Sequence, residues 1–236
     1  MDKELVVKNA MGGMSDFTPA KVINTALEFQ QLLMLYESGI KQITTKFEIL
    51  EDEFESKHQR NPISTISSRI KDPLSIAEKL QRKGLDLTID NMVNRLHDIA
   101  GIRVTCPFVS DVYHVMQMLL NQEDIKLIKM KDYIKEPKSN GYRSLHVIVK
   151  VGVYFSDQKR EIPVEIQIRT IAMDFWASLE HKIYYKFEGH APEYISHDLQ
   201  ECSKIVSELD ERMLQLNEAI QKTKAEQEEE QKEPPA

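Results

Sequence analysis

Two carboxylates occupy positions suited to holding a metal ion against phosphate. Asp98 precedes the run GIRVTC and Glu165 lies inside VEIQIRT. Acids distant in sequence but placed at strand ends fit a magnesium and nucleotide site, because Mg²⁺ takes only one or two carboxylates and completes its shell with phosphate oxygens and water. Taken singly, Asp98 also reads as a turn or cap carboxylate, and Glu165 as the ion-pair partner of Arg103 or Arg169. Cations supply the complement. Arg69, Lys71, Lys79, Arg82 and Lys83 crowd SSRIKDPLSIAEKLQRKG, where Ser75, Lys79 and Lys83 step by four and share one helix face. They can form a solvated face, but Arg69 and Lys71, with Lys129, Lys131 and Lys138, flank predicted strand or helix ends, where loops gather over a sheet edge and can clamp a polyphosphate.

The stretch KDYIKEPKSNGYRSLHV combines a turn with an aromatic ring. Pro137, Asn140 and Gly141 mark the turn, since proline fixes φ and Asn and Gly tolerate positive φ. A turn alone requires neither Tyr142 nor the surrounding Lys131, Lys135, Lys138 and Arg143. Ring and cations together fit an anionic ligand with an aromatic group.

These residues need a frame that brings them together. Apolar residues from Val22 to Phe54 recur at alternating steps of four and three, predicting a long helix that starts at Thr18–Pro19 and is weakened locally at Gly39. A second stripe, Leu199, Cys202, Val206, Leu209, Met213, Leu216 and Ile220, keeps heptad steps. Between them the period falls to two. GIRVTC, IKLIKM, SLHVIVKVGVYF and IPVEIQI read as strands, with helices over Asp72–Gly84, Ser110–Asn121 and Thr170–Lys186. The expected fold is α+β, a mixed sheet flanked by helices. Each strand has one apolar face; the other carries Arg103 and Thr105, Ser144 and His146, or Glu165, Gln167 and Arg169, and is either a solvated face or the floor of a site.

Charge narrows the location. The 236-residue chain carries a formal net charge of -7, yet Arg69 to Arg143 holds 13 Lys and Arg against 10 Asp and Glu, and Ile195 to Ala236 holds 5 against 11. The middle of the chain is where an anion would bind. No apolar run reaches the roughly 20 residues of a membrane span, and the start lacks the pattern of a secretory signal, so a cytoplasmic location is expected. Cys106 and Cys202 form no disulfide framework or metal spacing and read as small core residues.

Four motifs in order, SRIKDPLSIAEKLQRKG, HDIAGIRV, KMKDYIKEPKSNGYRSLH and VEIQIRTIAMDFWASLEHKIYYK, resemble the small alarmone synthetases, single-domain relatives of the synthetase domain of RelA/SpoT-type enzymes. The resemblance implies a nucleotidyltransferase-like sheet and transfer of pyrophosphate from ATP to the 3′-hydroxyl of GDP or GTP. It implies that Arg69 and Arg103 hold adenine, that Lys71, Ser75, Lys79 and Arg82 contact the ATP phosphates, and that Asp98 and Glu165 bind Mg²⁺. Glu165 would also take the proton from the hydroxyl, with Gln167 and His146 orienting the acceptor. Tyr142 would stack on guanine, Lys131, Lys138 and Arg143 would meet its phosphates, and Asp174 and Glu180 would read the base edge.

The expected organisation is a helical segment over 1–60, a catalytic domain over 61–190, an oligomerisation helix over 191–223 and a disordered acidic tail over 224–236. The apolar stripes point to a homo-oligomer, and the resemblance to a tetramer. Product and single-stranded RNA stay open as regulators. His97–Asp98 and His197–Asp198 match the metal-binding dipeptide of the hydrolase domain of the long enzymes, but the rest of that domain is absent, so synthesis without hydrolysis is expected. Trp176 and the KIYYK aromatics read as packing. The rival readings are another nucleotidyltransferase-fold enzyme, which would release pyrophosphate, and a non-catalytic nucleotide- or RNA-binding module.

Overall fold

The computed structural model describes residues 19–58, 60–186 and 192–230. Helix α1 (Pro19–His58) leads into strand β1 (Thr65–Ile70), followed by α2 (Pro73–Arg82), α3 (Ile89–Arg95), β2 (Ala100–Cys106), α4 (Val109–Leu120), β3 (Ile125–Asp132), β4 (Leu145–Tyr154), β5 (Lys159–Thr170), α5 (Ile171–Lys186) and α6 (Glu193–Glu230). The five strands form one mixed sheet in the order β1-β2-β5-β4-β3. Only β2 and β5 pair in parallel.

Alternation explains the sheet's two faces. Along β4, Leu145, Val147, Val149, Val151 and Val153 are buried while His146, Ile148, Lys150 and Gly152 are half-buried; β5 buries Val164, Ile166 and Ile168 in the same way. The apolar face joins a core with Tyr36, Ile43 and Phe47 of α1 and Val112, Val115 and Leu119 of α4. The polar face is left for ligands.

The α1 stripe runs as expected from Tyr36 to Phe54, but further back Leu32 is buried and Leu33 only partly so. Gly39 is more than a weak point in this helix. A Cβ there would lie 2.7 Å from Ile162 Cγ2, so its lack of a side chain allows α1 to approach β5. Helix α2 starts where Asp72 Oδ1 accepts from Ser75 N at 3.0 Å, with Pro73 in its first turn.

Several elements depart from the sequence reading. β1 and α3 were not expected: β1 is an edge strand, mostly exposed, and α3 spans seven residues with Met92 its one buried side chain. Helix α6 continues to Glu230, beyond the expected onset of disorder at 224; residues 231–236, like the Thr18 cap, lie outside the described residues. Cys106 is buried as expected, whereas Cys202 is exposed. Of the heptad stripe only Leu199 is fully buried.

Candidate active site

Strand pairing sets functional side chains in rows. Ser67 opposes Arg103, Arg103 opposes Gln167, Gln167 opposes His146 and His146 opposes Lys131, one row across all five strands. The next row runs Arg69, Gly101, Glu165, Ile148 and Lys129. Two cavities open on this face. One, of about 220 Å³, is lined by Arg69, Arg103, Gln167 and the serines of β1; the other, of about 410 Å³, by Lys79, Lys129, Lys131, Lys138, Tyr133 and His146. Asp98 and Glu165 line both. The two carboxylates therefore stand where a donor in one cavity would meet an acceptor in the other.

Their surroundings differ. Asp98 Oδ2 receives Lys79 Nζ at 2.5 Å and Lys71 Nζ at 3.0 Å. Burial pushes the Asp98 carboxyl up, but the two ammonium groups outweigh it and hold the group below its ordinary value. Its other oxygen, Oδ1, is buried with no hydrogen-bond partner among the described residues. Glu165 Oε2 accepts from Gln167 Nε2 at 3.2 Å, and Oε1 lies 3.7 Å from His146 Nδ1. Burial raises this carboxyl too, but His146, with Gln167, holds it below its ordinary value. The ion pair with Arg103 or Arg169 does not form; both guanidinium groups turn to Asp174, at 3.4 and 3.0 Å.

The loop between β3 and β4 is shaped by its own backbone. Asp132 Oδ1 accepts from Ile134 N and Lys135 N, Gly141 N donates to Lys138 O at 2.8 Å, and Asn140 Oδ1 accepts from Tyr142 N at 3.1 Å. Gly141 sits at φ +90°, which only glycine adopts without strain. Tyr142, the next residue, is half-buried, with Lys138 Nζ 4.5 Å and Arg169 Cζ 5.3 Å from its ring centre. Its hydroxyl accepts from Arg169 Nη2 at 2.8 Å and meets His146 Nε2 at 2.7 Å. The chain Arg169, Tyr142, His146, Glu165 thus ties the aromatic ring to the carboxylate.

Asp98, Glu165, Gln167, His146, Arg69, Lys79, Arg103, Lys131 and Lys138 line the two cavities, and Lys71 and Tyr142 bond to residues that do. The remaining candidates line neither cavity, although Asp174 pairs with Arg103, which does. Arg143 Nη1 donates to Ile134 O at 2.9 Å, and its side chain lines a separate cavity with Gln200, Ser203 and Lys204. Ser75 belongs to the α2 cap, Arg82 is exposed, Asp174 is held by arginines and Glu180 accepts from Asn140 Nδ2 at 3.0 Å. Conversely, Tyr133, Arg95 and His97 line the second cavity and Arg169 supports Tyr142, although none of the four was given a part in ligand binding. Tyr133 could have been found from Lys129 and Lys131, whose alternation leads to it. His197 and Asp198 are exposed on α6, and Trp176 is buried with Nε1 donating to Leu199 O at 3.0 Å, in keeping with packing.

Among the described residues no group of three or more His, Cys, Asp or Glu could hold a metal alone. Two carboxylates sharing a wall, one with a buried unpaired oxygen, nonetheless fit a hard cation that takes its other ligands from phosphate and water.

Comparison with known proteins agrees with this chemistry. Residues 68–190 match the region found in RelA / SpoT proteins. GTP pyrophosphokinase YwaC of Bacillus subtilis (strain 168) is 44% identical over 199 residues, covering 84% of this chain and 95% of the relative. The small alarmone synthetase 2 from Bacillus subtilis superposes with a TM-score of 0.73 at 44% identity, covering 79% of this chain and 97% of that one. The small alarmone synthetase 1 from Bacillus subtilis bound to its product pppGpp superposes with a TM-score of 0.75 at 34% identity, covering 82% and 98%.

Proposed function

This chain belongs to the RelA/SpoT family, and from that premise we infer that it is a GTP pyrophosphokinase that makes ppGpp and pppGpp from ATP and GDP or GTP. The observation that carries the reading is the meeting of two differently lined cavities at Asp98 and Glu165. ATP takes the first cavity, its adenine between Arg69 and Arg103 and its phosphates reaching Asp98 and the two lysines on it, Lys71 and Lys79, the latter at the edge of the second cavity. The guanine nucleotide takes the second, its base on Tyr142 and its phosphates among Lys131 and Lys138. Base stacking of this kind contributes about 1 to 3 kcal/mol and does not discriminate between bases.

Glu165 accepts the proton of the ribose 3′-hydroxyl as its oxygen attacks the β-phosphorus of ATP. The bond between that phosphorus and the oxygen bridging to the α-phosphorus breaks, and AMP leaves with the oxygen. Gln167 and His146 hold the two oxygens of Glu165 in place. Asp98 and Glu165 would hold Mg²⁺, which when bound neutralises charge on the phosphates.

Incubating the pure protein with ATP, GDP and Mg²⁺ tests the reading. AMP together with a guanosine carrying two more phosphates is the expected result. Free pyrophosphate would replace it with nucleotidyl transfer, and absence of turnover with a binding module. The exposed Ile205, Leu209, Met213, Leu216 and Ile220 of α6 support a homo-oligomer, which we place at a tetramer. Light scattering that gave a monomer at micromolar concentration would overturn that. No helix among the described residues is long and apolar enough to cross a membrane, and nucleotide substrates support a cytoplasmic location.

A further inference from the structure

Helix α6 lies beyond residues 68–190, the region shared with RelA and SpoT proteins, yet it grips the turn that carries Tyr142. Gln200 Nε2 donates to Ser139 O and Ser203 Oγ donates to Gly141 O. Contact is close: a Cβ on Gly141 would fall 2.7 Å from Ser203 Cβ. Two more points fix the helix itself. Leu199 O accepts from Trp176 on α5, and Asp210 Oδ2 accepts from Thr170 Oγ1, at the end of β5, at 2.6 Å. Tyr142 packs against the small cluster formed by Trp176, Ala177 and Leu199.

We propose that Gln200 and Ser203 are positioning residues that preset the 138–142 turn, and with it the Tyr142 ring, to receive the guanine nucleotide. The carbonyls of Ser139 and Gly141 flank the tip of a surface turn, where water would otherwise satisfy them and the backbone could sample other conformations. Donors mounted on a helix that is itself pinned to α5 and β5 select one of those conformations. A nucleotide that binds only this conformation loses apparent affinity in proportion as its population falls. ATP is held on the far side of the carboxylates and owes nothing to the turn. The inference rests on the pyrophosphokinase reading, with the guanine nucleotide on the Tyr142 side.

The test is steady-state kinetics on the Gln200→Ala, Ser203→Ala double variant. With two hydrogen bonds of ordinary strength lost, KM for GDP should rise on the order of tenfold, with KM for ATP within about twofold of the parent and kcat at saturating GDP little changed. Trp176 is the single tryptophan of the chain and lies in the gripped cluster, so titrating its fluorescence with GDP gives the acceptor's affinity without turnover and should show the same loss. Should the double variant not fold, Gln200→Glu, at a half-buried position on the helix, removes one donor and should raise KM for GDP alone, by severalfold. Equal rises for both nucleotides, or a fall in kcat with KM for GDP unchanged, would overturn the proposal. A parent protein that released no AMP from ATP and GDP would instead overturn the pyrophosphokinase reading.

Discussion

Glu165→Gln removes one charge and almost no volume from the point where the two cavities meet. The amide oxygen can still accept from Gln167 Nε2, the bond made at 3.2 Å by the native carboxylate, while the amide nitrogen replaces the oxygen that lies 3.7 Å from His146 Nδ1. The cost to folding should be about 1 kcal/mol, the difference between a charge-assisted and a neutral hydrogen bond, or a fall of roughly 2 to 4 °C in Tm for a chain of this size. Catalysis should suffer far more. A ribose hydroxyl is a poor nucleophile near neutral pH, and a positioned base contributes about 10² to 10⁴ in rate. Because His146 holds the Glu165 carboxyl below its ordinary value despite burial, Glu165 is a weak base always ready to accept, and the lower end of that range applies. AMP release at saturating ATP, GDP and Mg²⁺ should therefore fall at least about a hundredfold in a protein that keeps its melting behaviour. Turnover within a fewfold of the parent would show that the proton goes elsewhere; a large loss of Tm would show that Glu165 is needed first for folding.

Tyr142→Ala should weaken GDP by about 5- to 100-fold through lost stacking while KM for ATP holds, read by initial rates with each substrate varied; equal losses would assign the ring a structural role. Arg60 pairs with Asp111, whose side chain is 1% exposed, through bonds of 2.7 and 3.0 Å. Arg60→Met strands that carboxylate and should destabilise by about 3 kcal/mol in urea titrations, and a change below about 1 kcal/mol would contradict the account. Burial raises the Asp210 carboxyl above its ordinary 3.8, with the Thr170 hydrogen bond and nearby Arg143 opposing. The folded state thus prefers the protonated group, a contribution present below 3.8 and lost as pH rises through the folded value. Asp210→Asn keeps an acceptor for Thr170 and should melt above the parent at pH 7, by a margin that narrows toward pH 4; a margin independent of pH would refute this.

The sheet's central strands were legible because each obeys one physical rule. β4 from Leu145 to Val153 and β5 from Ile162 to Ile168 alternate buried and half-buried residues, and that alternation places Glu165, Gln167 and His146 on the same face without any knowledge of the fold. β1 could not be read in this way. As an edge strand it needs only one partner, and Thr65, Ser67, Ser68 and Arg69 remain exposed, so no apolar period marks it. The resemblance gave Arg143 to the acceptor's phosphates, but its guanidinium donates to Ile134 O and its side chain lines the cavity on the α6 side. The heptad on α6 was real as a pattern, but periodicity tells which residues share a face and not what covers it. Cys202, Leu209, Met213 and Leu216 were left exposed on that account. Gln200 and Ser203 have no local signature at all, since their partners lie about 60 residues earlier in the chain.

Helix α6 has two occupied roles on one rod. The side bearing Leu199, Ser203 and Asp210 is buried against the turn, α5 and the end of β5, while Ile205, Leu209, Met213 and Ile220 are about half or more exposed. A second copy that covers the bare side would also stiffen the rod from which Gln200 and Ser203 act. Dilution would then loosen the acceptor turn through mass action alone, with no effector involved. The protein's own concentration would enter its rate law: specific activity at low GDP would fall on dilution, and rate plotted against enzyme would curve upward.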